Sequence, residues 1–487
     1  MAVDSPPVPE VSVAAPTGAD TTPGPVRPTA DGTPVATPGT SDSRIRRSSS
    51  RLSLTHQQQV EGAAGAIEET EATETVRVSG LHRKPYQQRF LTPLRDMCVQ
   101  VIASNFEDRP TFGDLPPRHV KSIVDKLRLD LPLELVGRVI ADEGYWKRRS
   151  AARWHNLDVV SHGGSWKQLY FERNLQAVLE TYNPSKTDVS DLKRLLAFSR
   201  RYVRNLAVRQ LPSHMDLNVL FDSMGSYLTG LDLKYSMRNV GMDYDKSLFG
   251  MKLSDCQSLA AALKRCETLT HLTLSSNLID DDRCRMLASG LVDNASVAHL
   301  DLSHNRIADR GARALAKLLD HHSVIFYLDL CDNSIHTEGG RALARALKTN
   351  TSLLSLNMRL NRVGDDGGRA MCDALVHNTS LERFNVSANA LGTASASAVS
   401  DMLRANITLK EVDLSCNLIG VDGGRLIHEA LEENTTLMTL DLRGCQVGAD
   451  TELAVLEHGR AMPEGGKMKP GRTAHATSSK VQAAGGA

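Results

Sequence analysis

Asparagine recurs at a fixed interval in the second half of the chain, and this spacing constrains the fold more than any other feature. The series has a step of 28 residues and comprises Asn277, Asn305, Asn333, Asn361, Asn389 and Asn417, with Cys445 at the next position. A regular repeat of this length indicates stacked supersecondary units, because one unit alone cannot bury its apolar face. The sequence therefore predicts an elongated array of repeats.

The residues around each asparagine define the unit. The first phased copy reads Leu269-x-x-Leu272-x-Leu274-x-x-Asn277, and the last ends at Cys445. The L-x-L pair predicts a short strand with alternate side chains in the core, and a later apolar pair such as Leu287 and Leu291 predicts a helix. We interpret the array as an α/β fold, a leucine-rich-repeat solenoid of the ribonuclease-inhibitor type with its parallel sheet on the concave face. The buried asparagine, or a cysteine in its place, would satisfy backbone groups of the bend after the strand.

Four segments are predicted along the chain. Residues 1–78 are rich in Pro, Ser and Thr and predicted to be disordered, residues 79–222 form a helical domain, 223–460 the solenoid, and 461–487 a disordered tail. A degenerate repeat begins at Leu228, and residues 235–252 look like an insertion after it. In the helical domain, Pro132 predicts a break with a new helix starting there. A further amphipathic helix is predicted from a set of apolar residues, Leu192, Leu195, Leu196, Tyr202, Val203 and Leu206.

Composition narrows the function classes. Lys+Arg and Asp+Glu each total 57, so the overall charge is zero and favours neither a nucleic-acid nor a membrane partner. The eight cysteines show no CxxC pair and no zinc-like spacing, which favours a reduced intracellular compartment without a metal site. No nucleotide-binding P-loop is present, and we predict no cofactor. Arginines precede the serines of the N-terminal tail, which makes candidate phosphorylation sites of Ser48, Ser49, Ser50 and Ser53.

The alternation within the predicted strands points three columns of side chains outward from the concave face. A basic partner segment could lie along the acidic column, and residue types that dominate protein interfaces occur beside it. The predicted partner-binding residues are His299, Tyr327, Asp301, Asp329, Arg359, Arg383, Glu411, Asp413, Asp441 and Arg443. Asp301 and Asp329 would be neighbours, but on an open face with no pocket to perturb their pKa values, so we predict no catalytic residues and no enzyme.

Asparagine sequons form a second series in phase with the repeat. They begin at Asn294, Asn350, Asn378, Asn406 and Asn434, between the predicted helix and the next strand. Asparagine tolerates the left-handed conformation that often ends a helix. We therefore expect these residues to terminate helices rather than to carry glycans.

Two stretches of the helical domain carry a family resemblance. They are Glu143-Gly144-Tyr145-Trp146-Lys147-Arg148-Arg149 and Trp166-Lys167-Gln168-Leu169-Tyr170-Phe171-Glu172-Arg173. With the repeats, they resemble the family of T-complex-associated testis-expressed protein 1, the leucine-rich-repeat subunit (subunit 5) of the nexin–dynein regulatory complex. The resemblance spans about residues 85–460. It implies a non-enzymatic component of the ciliary or flagellar axoneme, in the cytoskeleton of the cytoplasm. Its partners in that hetero-oligomeric complex would be other regulatory-complex subunits and doublet proteins.

A second resemblance starts from the same domain. Leu115-Pro116-Pro117-Arg118-His119-Val120, followed by Ile123, Val124, Leu127 and later Trp146, resembles an F-box. An F-box followed by leucine-rich repeats would imply a substrate adaptor of a ubiquitin ligase. An F-box is a compact unit of about 45 residues, whereas here the helical region continues well beyond it before the repeats begin. A Ran GTPase-activating protein would share the repeat type, but residues 461–487 lack the acidic segment of that family.

Overall fold

The computed structural model describes residues 92–183, 186–211, 215–236, 249–320 and 324–461. The predicted tail 1–78, the tail beyond residue 461 and most of the predicted insertion 235–252 lie outside the described residues. The candidate phosphorylation sites Ser48, Ser49, Ser50 and Ser53 lie outside them as well. These four serines and the two tails remain predictions.

The first described part is helical. Its elements are α1 (Leu94–Ser104), α2 (Pro117–Lys126), α3 (Leu133–Val139), α4 (Glu143–Ala151), a short 3-10 turn (Val160–His162), α5 (Trp166–Glu180) and α6 (Val189–Ser199). Pro132 directly precedes α3, so the predicted break and the new helix are both confirmed. Tyr145, Trp146 and Phe171 are fully buried and anchor the core of this part.

The predicted helix through Leu206 is wrong in its second half. Helix α6 ends at Ser199, and Leu206 lies in the first strand, β1 (Asn205–Val208). A short apolar run fits a helix or a strand equally well. Pairing decides here, because β1 lies parallel to the strand at Leu231, with Leu206 opposite Leu231. The sheet therefore begins inside the segment 79–222, which we had predicted as purely helical.

A nine-stranded parallel sheet follows the chain in sequence order through the described residues. After β1 come β2 (Gly230–Leu233), β3 (His271–Thr273), β4 (His299–Asp301), β5 (Tyr327–Asp329), β6 (Ser355–Asn357), β7 (Arg383–Asn385), β8 (Glu411–Asp413) and β9 (Thr439–Asp441). Sequential order with every strand parallel is the arrangement of a solenoid. The leucine-rich-repeat prediction is confirmed, and the degenerate repeat at Leu228 contributes β2.

Within the described ranges, one helix lies between each pair of consecutive strands and returns the chain. These helices are α7 (Leu217–Met224), α8 (Leu253–Leu263), α9 (Asp281–Leu291), α10 (Asp309–Asp320), α11 (Thr337–Leu347), α12 (Gly364–Leu375), α13 (Thr393–Ala405) and α14 (Gly420–Glu433), and α15 (Ala449–Ala461) follows the last strand. Their predicted apolar pairs, such as Leu287 and Leu291, are buried. A single apolar core runs from Val99 in α1 to Val447 after β9.

The prediction that the buried asparagines satisfy backbone groups is confirmed, and Asn305 shows that they also form a ladder between repeats. Its Nδ2 donates to the carbonyls of Leu274 at 3.0 Å and Leu302 at 2.9 Å. Its Oδ1 accepts from the backbone N–H of Asn277 and of Ile279, each at 3.0 Å. One buried amide thus ties two repeats together.

The sequon asparagines form a second ladder, and the prediction that they are left-handed is wrong. Asn406 has φ −81° and ψ 131°, an extended conformation. Its Nδ2 donates to the Leu375 carbonyl of the preceding repeat at 2.7 Å, and its Oδ1 accepts from Leu409 N–H at 2.7 Å. Asn406 is 3% exposed, and its buried amide connects two repeats at the start of the strand, opposite to the end where Asn305 and its equivalents lie.

A carboxylate of one repeat caps the helix of the next, which explains the recurring glycine. Asp281 Oδ1 accepts from the N–H groups of Ala308 and Gly311, each at 2.8 Å. A Cβ on Gly311 would lie 2.8 Å from that oxygen and 2.7 Å from Ile307 Cγ2. Glycine stands there because the carboxylate approaches so closely.

Candidate protein-binding surfaces

The sheet register brings the predicted concave-face residues into columns. Across β4 to β9, the first column includes His299, Tyr327, Arg383 and Glu411, and the second includes Asp301, Asp329, Asp413 and Asp441. Arg359 and Arg443 follow two residues after their strands' last positions, in the third column. The structure therefore places all ten predicted residues on one face. Their binding of a partner remains a prediction.

The second column has a structural task that sequence reasoning missed. One oxygen of each side chain accepts the backbone N–H two residues later, as Asp301 does from Ser303 at 2.9 Å and Asp413 from Ser415 at 3.0 Å. This bond closes the turn after the strand, and an amide oxygen serves equally well, as in Asn385. The alternation of Asp and Asn along the column was the available signal.

The expectation that nothing on the concave face perturbs the pKa of an aspartate is wrong for Asp329. Burial raises its pKa above the ordinary aspartate value, and the neighbouring charge of Asp301 acts in the same direction. Tyr327 Oη donates to Asp329 Oδ2 at 3.1 Å, and Asn357 Nδ2 donates to the same oxygen at 2.9 Å. Burial also raises the pKa of Tyr327. These bonds hold the carboxylate in place between two strands.

The concave face changes character along its length. Rings stack at its early strands, with His271 and His299 centroids 4.2 Å apart and Tyr327 5.2 Å from His299. Two arginines follow, Arg359 and Arg383, whose side chains are exposed and form no ion pair within the described part of the chain. Acidic residues dominate the last strands. Burial by itself would raise the pKa of Asp441, but hydrogen bonds from Arg443 outweigh it, so the pKa of Asp441 is lowered.

The two stretches that carry the family resemblance are architectural. Glu143 accepts from Ser165 Oγ at 2.8 Å and from Trp166 N–H at 2.5 Å, which caps α5 from α4. Trp146 Nε1 donates to the Ile140 carbonyl at 3.1 Å. Arg149 donates to the Leu131 carbonyl at 2.7 Å from a buried position. These side chains hold α3, α4 and α5 together rather than facing a partner.

Glu172 joins the helical part to the sheet. Its side chain is 2% exposed, and its Oε1 accepts from the backbone N–H groups of Arg204 at 2.9 Å and Asn205 at 2.8 Å, where β1 begins. Its Oε2 contacts His162 Nδ1. Glu180, two turns further along α5, accepts from Arg209 N–H just after β1, at 3.0 Å. Helix α5 therefore holds both ends of the first strand.

Two classes of feature are absent from the described residues. The described ranges contain no cluster of three or more His, Cys, Asp or Glu side chains arranged to hold a metal ion. Among the same residues, no helix combines the length and apolar character needed to span a bilayer.

Comparison with known proteins agrees with the repeat architecture. A Leucine Rich repeat family model matches residues 293–316, 349–372, 405–427 and 433–450. The chain is 62% identical over 193 residues to the Dynein regulatory complex subunit 5 of Chlamydomonas reinhardtii, a match covering 40% of this chain and 50% of that protein. It is 37% identical over 218 residues to the Mus musculus protein of the same name, covering 39% of this chain and 44% of the relative. These matches span half or less of the relatives' own length. The resemblance predicted from the sequence is confirmed.

Solved structures offer fainter likenesses. The tropomodulin C-terminal domain of Caenorhabditis elegans aligns with 38% of this chain and 93% of its own, at 18% identity and a TM-score of 0.27. A leiomodin-1 structure titled Actin-Binding Site 2 aligns with 41% of this chain and 85% of its own, at 19% identity and a TM-score of 0.23. These values are too low to carry a functional conclusion.

Proposed function

We propose that the chain is a non-catalytic assembly component of the ciliary axoneme, within the nexin–dynein regulatory complex that links doublet microtubules and regulates dynein-driven motility. The observation that carries the proposal is the 62% identity to a protein named Dynein regulatory complex subunit 5. Other subunits of the complex and doublet proteins are the proposed partners, in the cytoskeleton of cilia or flagella.

The architecture supports a mechanical role. One apolar core continues from the helical part through the last repeat, and buried side-chain amides bridge consecutive repeats on both sides of the strands. An assembly tied at each step resists bending between repeats, so it can transmit a load between two partners. We propose that the helical part and the solenoid bind different neighbours, with the chain acting as a rigid bracket.

The concave face supplies the proposed partner contact of the solenoid. Arg359 and Arg383 are exposed charges without an ion pair in the described ranges, and Tyr327 offers a half-buried ring nearby. Arginine and tyrosine dominate binding energy at many interfaces. Arg383→Glu should weaken binding to a neighbouring subunit by about tenfold or more. Arg345→Glu, an equal charge change at an exposed position of α11 on the helical side, is the matched control and should leave binding unchanged.

Purification of the tagged chain from cells with motile cilia tests the proposal. We expect other regulatory-complex subunits and axonemal tubulin to be recovered by mass spectrometry. Recovery of cullin and its small adaptor in near-equal amount would overturn the proposal and make Leu115–Trp146 an F-box in function. A second tagged chain lacking residues 1–78 should recover the same subunits, because we assign binding to the helical part and the solenoid.

A further inference from the structure

A row of left-handed residues marks one edge of the solenoid, in the turns that follow the strands. The row consists of Ser276, His304, Asp332, Leu360, Ala388, Cys416 and Gly444, with φ between 52° and 73°. Backbone bonds connect neighbours across repeats, since Leu360 N–H donates to the Ser387 carbonyl at 3.0 Å and Ala388 N–H to that of Ser415 at 2.9 Å. The row is therefore continuous and advances by one strand spacing per repeat. We call it the loop edge.

The loop edge is polar at first and then becomes apolar. Ser276, His304 and Asp332 give way to Leu360, Ala388 and Cys416. Leu418, in the same turn as Cys416, is 64% exposed and extends the apolar strip, and Val421 in the first turn of α14 is 65% exposed. Apolar side chains grouped over consecutive repeats are a typical feature of a protein-binding surface.

Leucine is an unfavourable residue at position 360 for two reasons, its backbone conformation and its exposure. Its φ of 57° is in the left-handed region, which disfavours leucine by about 1–2 kcal/mol, and its side chain is 43% exposed. Asparagine or glycine would suit the backbone better, and a polar residue would suit the exposure. A residue that serves neither local structure nor the core is a candidate for binding.

The charges beside Leu360 are basic, whereas the exposed Asp422 follows Val421 at the other end of the strip. Arg359 precedes Leu360 and Arg362 follows it by two residues, and neither side chain forms an ion pair inside the described ranges. A shallow groove of about 400 Å³ runs along the edge, lined by His304, Asp332, Ser334, Leu360, Arg362 and Ala388 among others. The carboxylate in the groove, Asp332, already contacts His304 at 2.8 Å. Among the described residues that line the groove, Arg362 is therefore the charge without an ion-pair partner.

We propose that the apolar half of the loop edge binds an amphipathic helix of another protein, with acidic residues beside its apolar stripe. Its apolar side chains would cover Leu360 and Leu418, and its carboxylates would pair with Arg359 and Arg362. The spacing selects a helix: one turn advances about 5.4 Å, close to the strand spacing of about 4.8 Å. Same-side residues of an extended peptide lie about 6.6 Å apart, so their offset from the repeats grows by about 1.8 Å per repeat, against about 0.6 Å for a helix. The proposal rests on the assembly role above only for the source of the helix.

Site-specific photo-crosslinking in the purified assembled complex tests this. A photoreactive residue at position 360 or 418 should crosslink to a segment of another subunit with apolar residues three and four apart and net negative charge. Position 407 provides the control, because Ile407 is 76% exposed and lies between a helix and the following strand, away from the loop edge. The proposal would be overturned by crosslinks to residues 1–91 of this chain, to a second copy of it, or to an extended or basic segment. It would also be overturned if positions 360 and 418 gave no higher crosslinking yield than position 407.

Substitutions separate binding from folding. Leu360→Asn should melt no lower than the wild type, because asparagine accepts the left-handed backbone. It should nevertheless weaken association with the crosslinked subunit by about tenfold or more, and so should Leu418→Asp and Arg362→Glu. Ile407→Asp, which also replaces an exposed apolar side chain by a charge, should leave association unchanged. Equal effects of Ile407→Asp and Leu418→Asp would overturn the proposal.

The same preparation distinguishes this proposal from the assembly role. If the tagged wild-type chain recovers no regulatory-complex subunit, the proposed function fails. If it recovers them while Leu360→Asn and Leu418→Asp associate as tightly as the wild type, only the loop-edge proposal fails.

Discussion

Replacing Glu172 by alanine should loosen the junction between the helical part and the sheet. Its Oε1 accepts two backbone N–H groups, from Arg204 at 2.9 Å and Asn205 at 2.8 Å, at a site where the side chain is 2% exposed. Arg204 and Asn205 are exposed residues whose N–H groups can bind water once the carboxylate is removed, so each lost bond should cost about 0.5–1.5 kcal/mol and Glu172→Ala about 1–3 kcal/mol. Glu172→Gln keeps an acceptor oxygen and should cost clearly less.

Urea unfolding gives the magnitude, and hydrogen exchange gives the location. Peptides covering residues 203–208 should lose protection in Glu172→Ala, while peptides from the later strands keep theirs. Glu180→Ala is the matched control, because Glu180 accepts a single backbone N–H, that of Arg209 just after β1, from the partly exposed end of α5, and it should cost about 0.5–1.5 kcal/mol. Unchanged protection of 203–208, or equal losses in Glu172→Ala and Glu180→Ala, would refute the reasoning. If Glu172→Gln were as damaging as alanine, the negative charge rather than the acceptor geometry would be what matters.

Three further predictions concern the repeats. Asn305→Ala should cost about 2–6 kcal/mol in urea unfolding, because two buried N–H groups lose their acceptor; a loss no larger than that of Asp301→Ala, whose Oδ1 closes one turn, would contradict this. Gly311→Ala should lower the melting temperature because its Cβ would meet atoms at 2.7 and 2.8 Å. Gly459→Ala on α15, with open space around it, should leave the melting temperature unchanged or raise it, because alanine is favoured over glycine in a helix by about 1 kcal/mol. A lower melting temperature for both variants would refute the steric argument. Burial raises the pKa of Asp329 in the folded chain, so its charged form costs stability at neutral pH, and that cost is relieved as pH falls through the folded-state pKa. The melting temperature of the wild type minus that of Asp329→Asn should therefore increase from about pH 7 to about pH 4.5; a constant difference would exclude this effect.

Periodic features of the fold were predictable from the sequence. The 28-residue asparagine series predicted the strands, the helices, the bonds of the buried Asn305 to backbone groups and the substitution by Cys445, whose Sγ donates to the Leu414 carbonyl at 3.0 Å. Strand alternation also predicted which side chains share the concave face. A repeat makes such inferences secure, because every copy must satisfy the same backbone groups in the same way. The family resemblance likewise depended on short contiguous motifs, which can be recognised in the sequence without a structure.

Only the tertiary structure decided features that depend on contacts across repeats. Leu206 became a strand residue because β2 offers it a partner, although its apolar pattern also fitted a helix. The asparagines of the sequons form a second ladder because the Leu375 and equivalent carbonyls of the preceding repeat lie within reach of their amides. The raised pKa of Asp329 arises from burial between strands that the linear pattern does not show. The sequence thus determined the repeating unit, whereas the stacking of units decided which polar groups are buried, paired or left free to bind.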